Sequence, residues 1–138
     1  MRTALDTNIL SLFWSGEPSA GPISAQLSQA RAQGALAVSA PVFVELAAIP
    51  TSSARRVETL LREMNIAVDF ELGEEVWQLA ATSFAAYAAR RRRSGGGQPK
   101  RLPADFVIAS HALLKADRLM TLDANRYAVD FPQLRLYE

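Results

Sequence analysis

The sequence contains no cysteine and a single histidine, His111. Without cysteine, the chain can form neither a disulfide framework nor a thiolate zinc site. One histidine and no cysteine cannot assemble a zinc-hydrolase site. A Ser-His-Asp triad would have to use His111, and no serine lies in a nucleophile-elbow pattern. We therefore interpret His111 as a structural or surface residue.

Long hydrophobic runs are also absent. No apolar segment approaches the ~20 residues that span a bilayer. The start, Met1–Asp6, reaches a charged residue too early for a secretory signal peptide. We expect a soluble, cytoplasmic protein. Its 138 residues, 49% of them hydrophobic, suffice for one core, so we predict a single domain over residues 1–138.

A strong net charge is missing as well, but the charges are unevenly distributed. The formal net charge is +1, yet six of the fifteen basic residues lie between Arg90 and Arg101 with no acid among them. This basic segment consists of Arg90, Arg91, Arg92, Arg93, Lys100 and Arg101. We predict that it binds nucleic-acid phosphates. The simpler alternative is a solvated helix end, where arginine also suits the helix dipole.

Short apolar segments alternate with stretches of helical periodicity. We predict strands at 3–6, 35–39, 66–70 and 119–122, with a fifth candidate at 134–137. The intervening helices are predicted at 7–14, 23–33, 41–48, from a cap at Thr51 or Ser52 to residue 64, 73–92 and 103–113. This alternation indicates an α/β domain, a three-layer α/β/α sandwich whose parallel sheet is covered on both faces.

Four acids fall where this fold brings residues together. Asp6 ends the first strand, Asp123 follows the fourth, Asp105 lies in the first turn of a helix, and Glu45 lies one turn into the helix after the second strand. Ligands of open parallel sheets bind at the carboxyl ends of the strands, so we expect all four acids at that edge.

Four clustered carboxylates repel one another, and the chain offers no matching set of cations. A hard divalent ion with oxygen ligands, Mg²⁺ or Mn²⁺, resolves this repulsion. Such an ion supports phosphodiester hydrolysis. Each acid also has a simpler interpretation: Asp6 as a helix cap, Asp105 as a dipole partner, Asp123 as an Asx-turn residue. Glu45 is harder to dismiss because it interrupts an apolar run.

The same residues resemble the motifs of the PIN-domain family. Leu5–Leu10 is similar to the first motif, Val44–Leu46 to the second and Pro103–Ala109 to the third. Thr121–Asp123 with Tyr127 is similar to the fourth. The order and rough spacing match along nearly the whole chain.

The resemblance implies a Rossmann-like sheet and a Mg²⁺- or Mn²⁺-dependent nuclease acting on RNA. Small single-domain members are mostly VapC-type toxins of toxin–antitoxin pairs, so it also implies an antitoxin partner and a homodimer. By position, Asp6, Glu45, Asp105 and Asp123 match the catalytic, metal-binding acids. The polar residues that would support them are Asn8, Thr121 and, less closely matched, Thr7.

Three other functions stay open. One is a PIN-like module that binds RNA or protein without cutting, and another is an RNA-processing nuclease outside a toxin system. A third is another metal-dependent phosphohydrolase, acting on small phosphate esters. Haloacid-dehalogenase-like enzymes also carry an Asp after the first strand, but they use Asp-x-Asp, where this chain has Asn8 at the second position. The first helix is amphipathic. We interpret its apolar face, with Leu12, Phe13 and Trp14, as part of the core rather than as a groove for a dimer partner or an antitoxin.

Overall fold

The computed structural model describes residues 1–138 and contains a four-stranded parallel sheet in the order β3-β2-β1-β4. The strands are β1 (Arg2–Leu5), β2 (Ala35–Ser39), β3 (Ile66–Asp69) and β4 (Arg118–Met120). The helices are α1 (Thr7–Ser15), α2 (Gly21–Gln33), α3 (Ala40–Ala47), α4 (Ala54–Glu63), α5 (Glu74–Arg93), α6 (Pro103–Lys115) and α7 (Ala124–Asp130), with a 3-10 turn at Pro18–Ala20. No helix is long and apolar enough to cross a membrane.

The two central strands are buried on both faces. Thr3, Ala4 and Leu5 of β1 are buried, as are residues 36–39 of β2, as expected for parallel strands covered by helices on both sides. One covering helix is α6, whose residues 106–112 are all buried. It packs on β1, β2, β4 and α5, while α2, α3 and α4 contact β2 or β3.

The predicted fold class is confirmed, and the predicted strands and helices lie within a few residues of the observed ones. Three details were wrong or missing. The cap of α4 is Ser53, whose Oγ accepts a hydrogen bond from Arg56 N at 3.1 Å. Thr51 instead adopts a left-handed turn conformation with φ of 67°. The fifth strand is reduced to one bridge between Leu119 and Leu136, and helix α7 was not predicted.

The apolar residues of the first helix pack as predicted. Leu12, Phe13 and Trp14 are half-buried against the hydrophobic core, which also contains Ile9 and Leu10 of the same helix. Their core role is therefore confirmed.

Candidate active site

The candidate site lies at the carboxyl edge of the sheet, between β1 and β4. The strand order runs outward from β1 to β2 on one side and to β4 on the other, and the crevice at such a reversal is where α/β sheets bind ligands. Asp6 N donates to Met120 O at 3.0 Å, which joins the ends of the two strands. Helices α1, α6 and α7 begin around this crevice, with Asp6, Asp105 and Asp123 at or near their N-termini. Helix N-termini favour negative charge.

Asp6 is the buried centre of the site, with only 6% of its surface exposed. Its Oδ1 accepts from Thr7 N and its Oδ2 from Thr121 Oγ1, both at 2.7 Å. Burial raises the pKa of Asp6, and the charge of Asp105 raises it further. Hydrogen bonds from Thr121, Tyr127 and Thr7 oppose the shift without cancelling it. The negative charge of Asp6 is therefore only partly compensated by the protein.

The predicted supporting residues are hydrogen-bonded to three of the four acids: Asp6, Glu45 and Asp123. Thr7 Oγ1 donates to Glu45 Oε1 at 2.6 Å, and Asn8 Nδ2 donates to Asp123 Oδ2 at 3.2 Å. Thr121 Oγ1 accepts from Asp123 N at 3.0 Å while donating to Asp6. Each predicted polar residue thus contacts one of the predicted acids.

Two arginines face the acids, fewer than the four cations that would match the four carboxylates. Arg126 Nη1 lies 3.9 Å from both Asp105 Oδ2 and Asp123 Oδ2. Arg101 Nε lies 3.7 Å from Asp105 Oδ2. These distances are longer than those of hydrogen bonds. The arginines therefore offset part of the negative charge of the acids without hydrogen-bonding to their carboxylate oxygens.

The donors fit a divalent metal ion in their chemistry but not in their present spacing. All four predicted ligands are carboxylates at one edge, which suits Mg²⁺ or Mn²⁺, and burial raises the pKa of Asp6, so that a bound cation would favour its charged form. However, no three acidic or histidine side chains lie close enough together to hold a metal ion. Two of the carboxylates are instead hydrogen-bonded to threonine hydroxyls, Glu45 to that of Thr7 and Asp6 to that of Thr121.

The predicted basic segment divides into engaged and exposed residues. Arg90 pairs with Asp130, Arg101 pairs with Asp130 and is largely buried, and Arg91 binds the carbonyls of Gln98 and Gly96 in its own loop. Three residues have exposed side chains and no ion pair: Arg92, Arg93 and Lys100. These three are the ones that the structure leaves accessible to a phosphate.

Helix α7 contributes site residues that sequence reasoning missed or left without a role. Tyr127 is buried; burial first, then the charges of Asp6 and Asp105, raise its pKa, so its hydroxyl stays protonated and serves Asp6 as a hydrogen-bond partner. The Asp130 side chain is 4% exposed and accepts from two arginines. The spacing of Tyr127 and Phe131 was the available signal, because residues four apart share a helix face.

His111 lies in a separate buried network. It is 1% exposed, and its Nε2 lies 2.7 Å from Asp69 Oδ2, while Arg2 Nη2 lies 3.0 Å from Asp69 Oδ1. Its structural interpretation is confirmed.

Comparisons with known proteins place these residues in a family. The chain resembles a solved structure of VapBC-1 from nontypeable Haemophilus influenzae, with a TM-score of 0.69, 21% identity, and 100% of this chain and 98% of that one covered. It also resembles VapBC2 from Rickettsia felis bound to a promoter DNA fragment, with a TM-score of 0.67, 18% identity, and 99% of this chain and 98% of that one covered. A third similar structure is FitAcB from Neisseria gonorrhoeae, with a TM-score of 0.65, 19% identity, and 99% of this chain and 96% of that one covered. These likenesses show the fold.

No curated protein matches the chain. A family model does match: that of the PIN domain, over residues 3–132. Because this match spans nearly the whole chain, the protein belongs to the PIN domain family.

Proposed function

We propose that this PIN domain is a Mg²⁺- or Mn²⁺-dependent endoribonuclease that hydrolyses RNA phosphodiester bonds. PIN domains are generally nucleases, and those nucleases typically use divalent metal ions. The observation that carries the proposal is the acidic network around the buried Asp6 at the crevice between β1 and β4. A partly compensated carboxylate beside further acids is the environment that a divalent ion stabilises.

Each acid has a role in this proposal. Asp6, Glu45 and Asp105 would hold the main ion, and Asp123 would complete its site or hold a second one. When bound, the ion would lower the pKa of the attacking water and offset charge on the phosphate. Thr7 and Thr121, already hydrogen-bonded to Glu45 and Asp6, would orient those carboxylates.

Asn8 has the corresponding role for the fourth acid. Its Nδ2 donates to Asp123, and its Oδ1 accepts from Leu122 N at 3.2 Å, so both ends of the amide are held. Asn8 would thereby keep the exposed Asp123 directed toward the crevice. The exposed residues of the basic segment would contact RNA phosphates on the way to the site.

We further propose that the protein is the toxin of a toxin–antitoxin pair. The similar solved structures are VapBC and FitAB complexes, so a cognate antitoxin is the expected partner, with a homodimer as the expected assembly. Expression of the chain alone should arrest growth, and co-expression with the antitoxin should relieve the arrest. A chain that cuts RNA without arresting growth would instead be an RNA-processing nuclease.

The nuclease proposal is tested by incubating the purified protein with structured and unstructured RNA, in Mg²⁺ or Mn²⁺ and in chelator. Asp6→Asn is the test variant, and Glu63→Gln, an exposed acid on α4, is the matched control. Cleavage that needs metal, disappears in Asp6→Asn and persists in Glu63→Gln supports the proposal. If folded, partner-free protein cuts no RNA in either metal, the chain is a binding module of the same fold.

A further inference from the structure

Arg101 and Asp130 form a buried ion pair at the back of the site. Their side chains are 8% and 4% exposed, and Arg101 Nη1 donates to Asp130 Oδ2. The same Nη1 lies 3.3 Å from Arg126 O. The guanidinium packs over two aromatic rings, 4.9 Å from the centroid of Phe106 and 5.1 Å from that of Tyr127. Arg101 is therefore held by α6 and α7 together, immediately behind the acids.

The pair leaves part of the guanidinium without a partner. Arg101 Nε and Nη2 are both buried, and neither makes a hydrogen bond. Buried donors of this kind are rare because each one loses its water without replacement. The nearest acid to Nε is Asp105, at 3.7 Å, which is just beyond hydrogen-bond distance. Arg101 therefore stands between two carboxylates but is hydrogen-bonded to only one of them.

We propose that Asp130 is a positioning residue that holds Arg101 away from Asp105. Without the charge of Asp130, the buried guanidinium would move the short distance to Asp105 and form a full ion pair with it. That pair would neutralise Asp105 and occupy its oxygens, and Asp105 could then no longer serve as a metal ligand. Asp130 thus keeps Asp105 available although it contacts neither metal nor RNA. The metal part of this inference rests on the proposed function.

The position of Arg101 can be tested without any metal. The Nε–H signal of Arg101 is observed by ¹H–¹⁵N NMR and assigned through its loss in Arg101→Gln. In Asp130→Asn, which keeps the size of the side chain, we expect the signal to move downfield and exchange more slowly as Nε bonds Asp105. Adding Asp105→Asn should reverse the shift. An Nε–H signal unchanged between the native chain and Asp130→Asn overturns the proposal.

The consequence for the site is tested by calorimetric titration with Mn²⁺ on samples shown to be folded by circular dichroism. Asp130→Asn should weaken Mn²⁺ binding by about tenfold, the lower end of what loss of a supporting residue causes. Arg101→Gln combined with Asp130→Asn should restore most of the affinity, because Arg101 no longer competes for Asp105, while Arg126 stays at 3.9 Å as in the native chain. Arg90→Gln is the control, since it removes the other partner of Asp130 and leaves Arg101 in place.

The outcomes separate this inference from the proposed function. If the native chain binds Mn²⁺ and Asp6→Asn abolishes the binding, the metal site stands. Unchanged affinity in Asp130→Asn, or no recovery in the double variant, then overturns the role of Asp130 alone. If the native chain binds no Mn²⁺, the metal-dependent function fails, and the NMR comparison still decides where Asp130 holds Arg101.

Discussion

Replacing Asp6 by asparagine should stabilise the metal-free protein at neutral pH. The buried carboxylate of Asp6 has a raised pKa, so its ionisation opposes folding. Asparagine removes the charge and can keep both contacts, because its oxygen can accept from Thr7 N and its amide can donate to Thr121 Oγ1. We expect a gain of about 1 kcal/mol, typical when a strained functional residue is replaced. That corresponds to an increase in Tm of about 4 °C for a chain of this size.

The gain should depend on pH in one direction. The folded-state pKa of Asp6 lies above its unfolded value, so the native chain has its full stability contribution from Asp6 below the unfolded pKa. It loses that contribution as the pH rises through the folded pKa. The difference between Asp6→Asn and the native chain should therefore be absent near pH 3.5 and reach its maximum at neutral pH. Urea unfolding in chelator across this range measures it.

Mn²⁺ should reverse the order of the two proteins. On the proposed function, the native chain would bind the ion and gain stability by mass action, about 2.7 kcal/mol at a hundredfold excess over Kd, whereas Asp6→Asn would not. Two results would refute the reasoning. One is a variant less stable than the native chain at neutral pH in chelator, and the other is a stability difference that does not change with pH.

Three other variants test separate parts of the site and core. Thr121→Val removes a hydrogen bond that lowers the pKa of Asp6, so the acid limb of the pH profile of kcat/KM should move to higher pH. An acid limb at the same pH in the variant and the native chain would contradict this expectation. Changing Arg92, Arg93 and Lys100 to glutamine should reduce the slope of log binding constant against log salt by about 2 for single-stranded RNA, whereas Arg31→Gln and Arg55→Gln should not. His111→Gln should lower the free energy of unfolding by about 1–3 kcal/mol, because Asp69 loses a buried partner, with cleavage per folded molecule unchanged. Burial lowers the pKa of His111, so neutral His111 contributes stability that is fully present above about pH 6.5 and is lost as the pH falls. Urea unfolding across this range should show a smaller loss of stability at low pH in His111→Gln than in the native chain.

The fold was predictable because its signals are local. Gly34 ends α2 where the helical periodicity stops, and Pro103 begins α6 at the first turn. The same logic failed for α7, which has seven residues and only one buried hydrophobic side chain, Tyr127. A helix that short is stabilised by tertiary packing rather than by its own sequence. Its buried Tyr127 and Asp130 contact residues far away in the chain, which no local pattern reveals.

That the residues of the candidate site are neighbours was predictable from the sequence, but the arrangement of charges around them was not. Asp6 and Thr121 follow adjacent strands, so topology alone brings them together. By sequence, Arg101 is one more member of a basic surface, yet its guanidinium is buried over two aromatic rings and forms an ion pair with Asp130. Spacing along the chain carries no information about which arginine folds inward, since that depends on acids contributed by another helix.

The hydrogen bond between Asp6 and Thr121 joins residues 115 positions apart, and this separation has a consequence for protein synthesis. The ribosome delivers β1 first and Thr121 near the end, so at ordinary elongation rates the two are made on the order of ten seconds apart. For most of that interval a nascent chain carries Asp6 without Asp105, and for all of it the chain lacks Thr121 and Tyr127. A nuclease site built on this topology is therefore incomplete while the chain is being translated, and it is assembled only when β4 and α7 have emerged and docked beside β1.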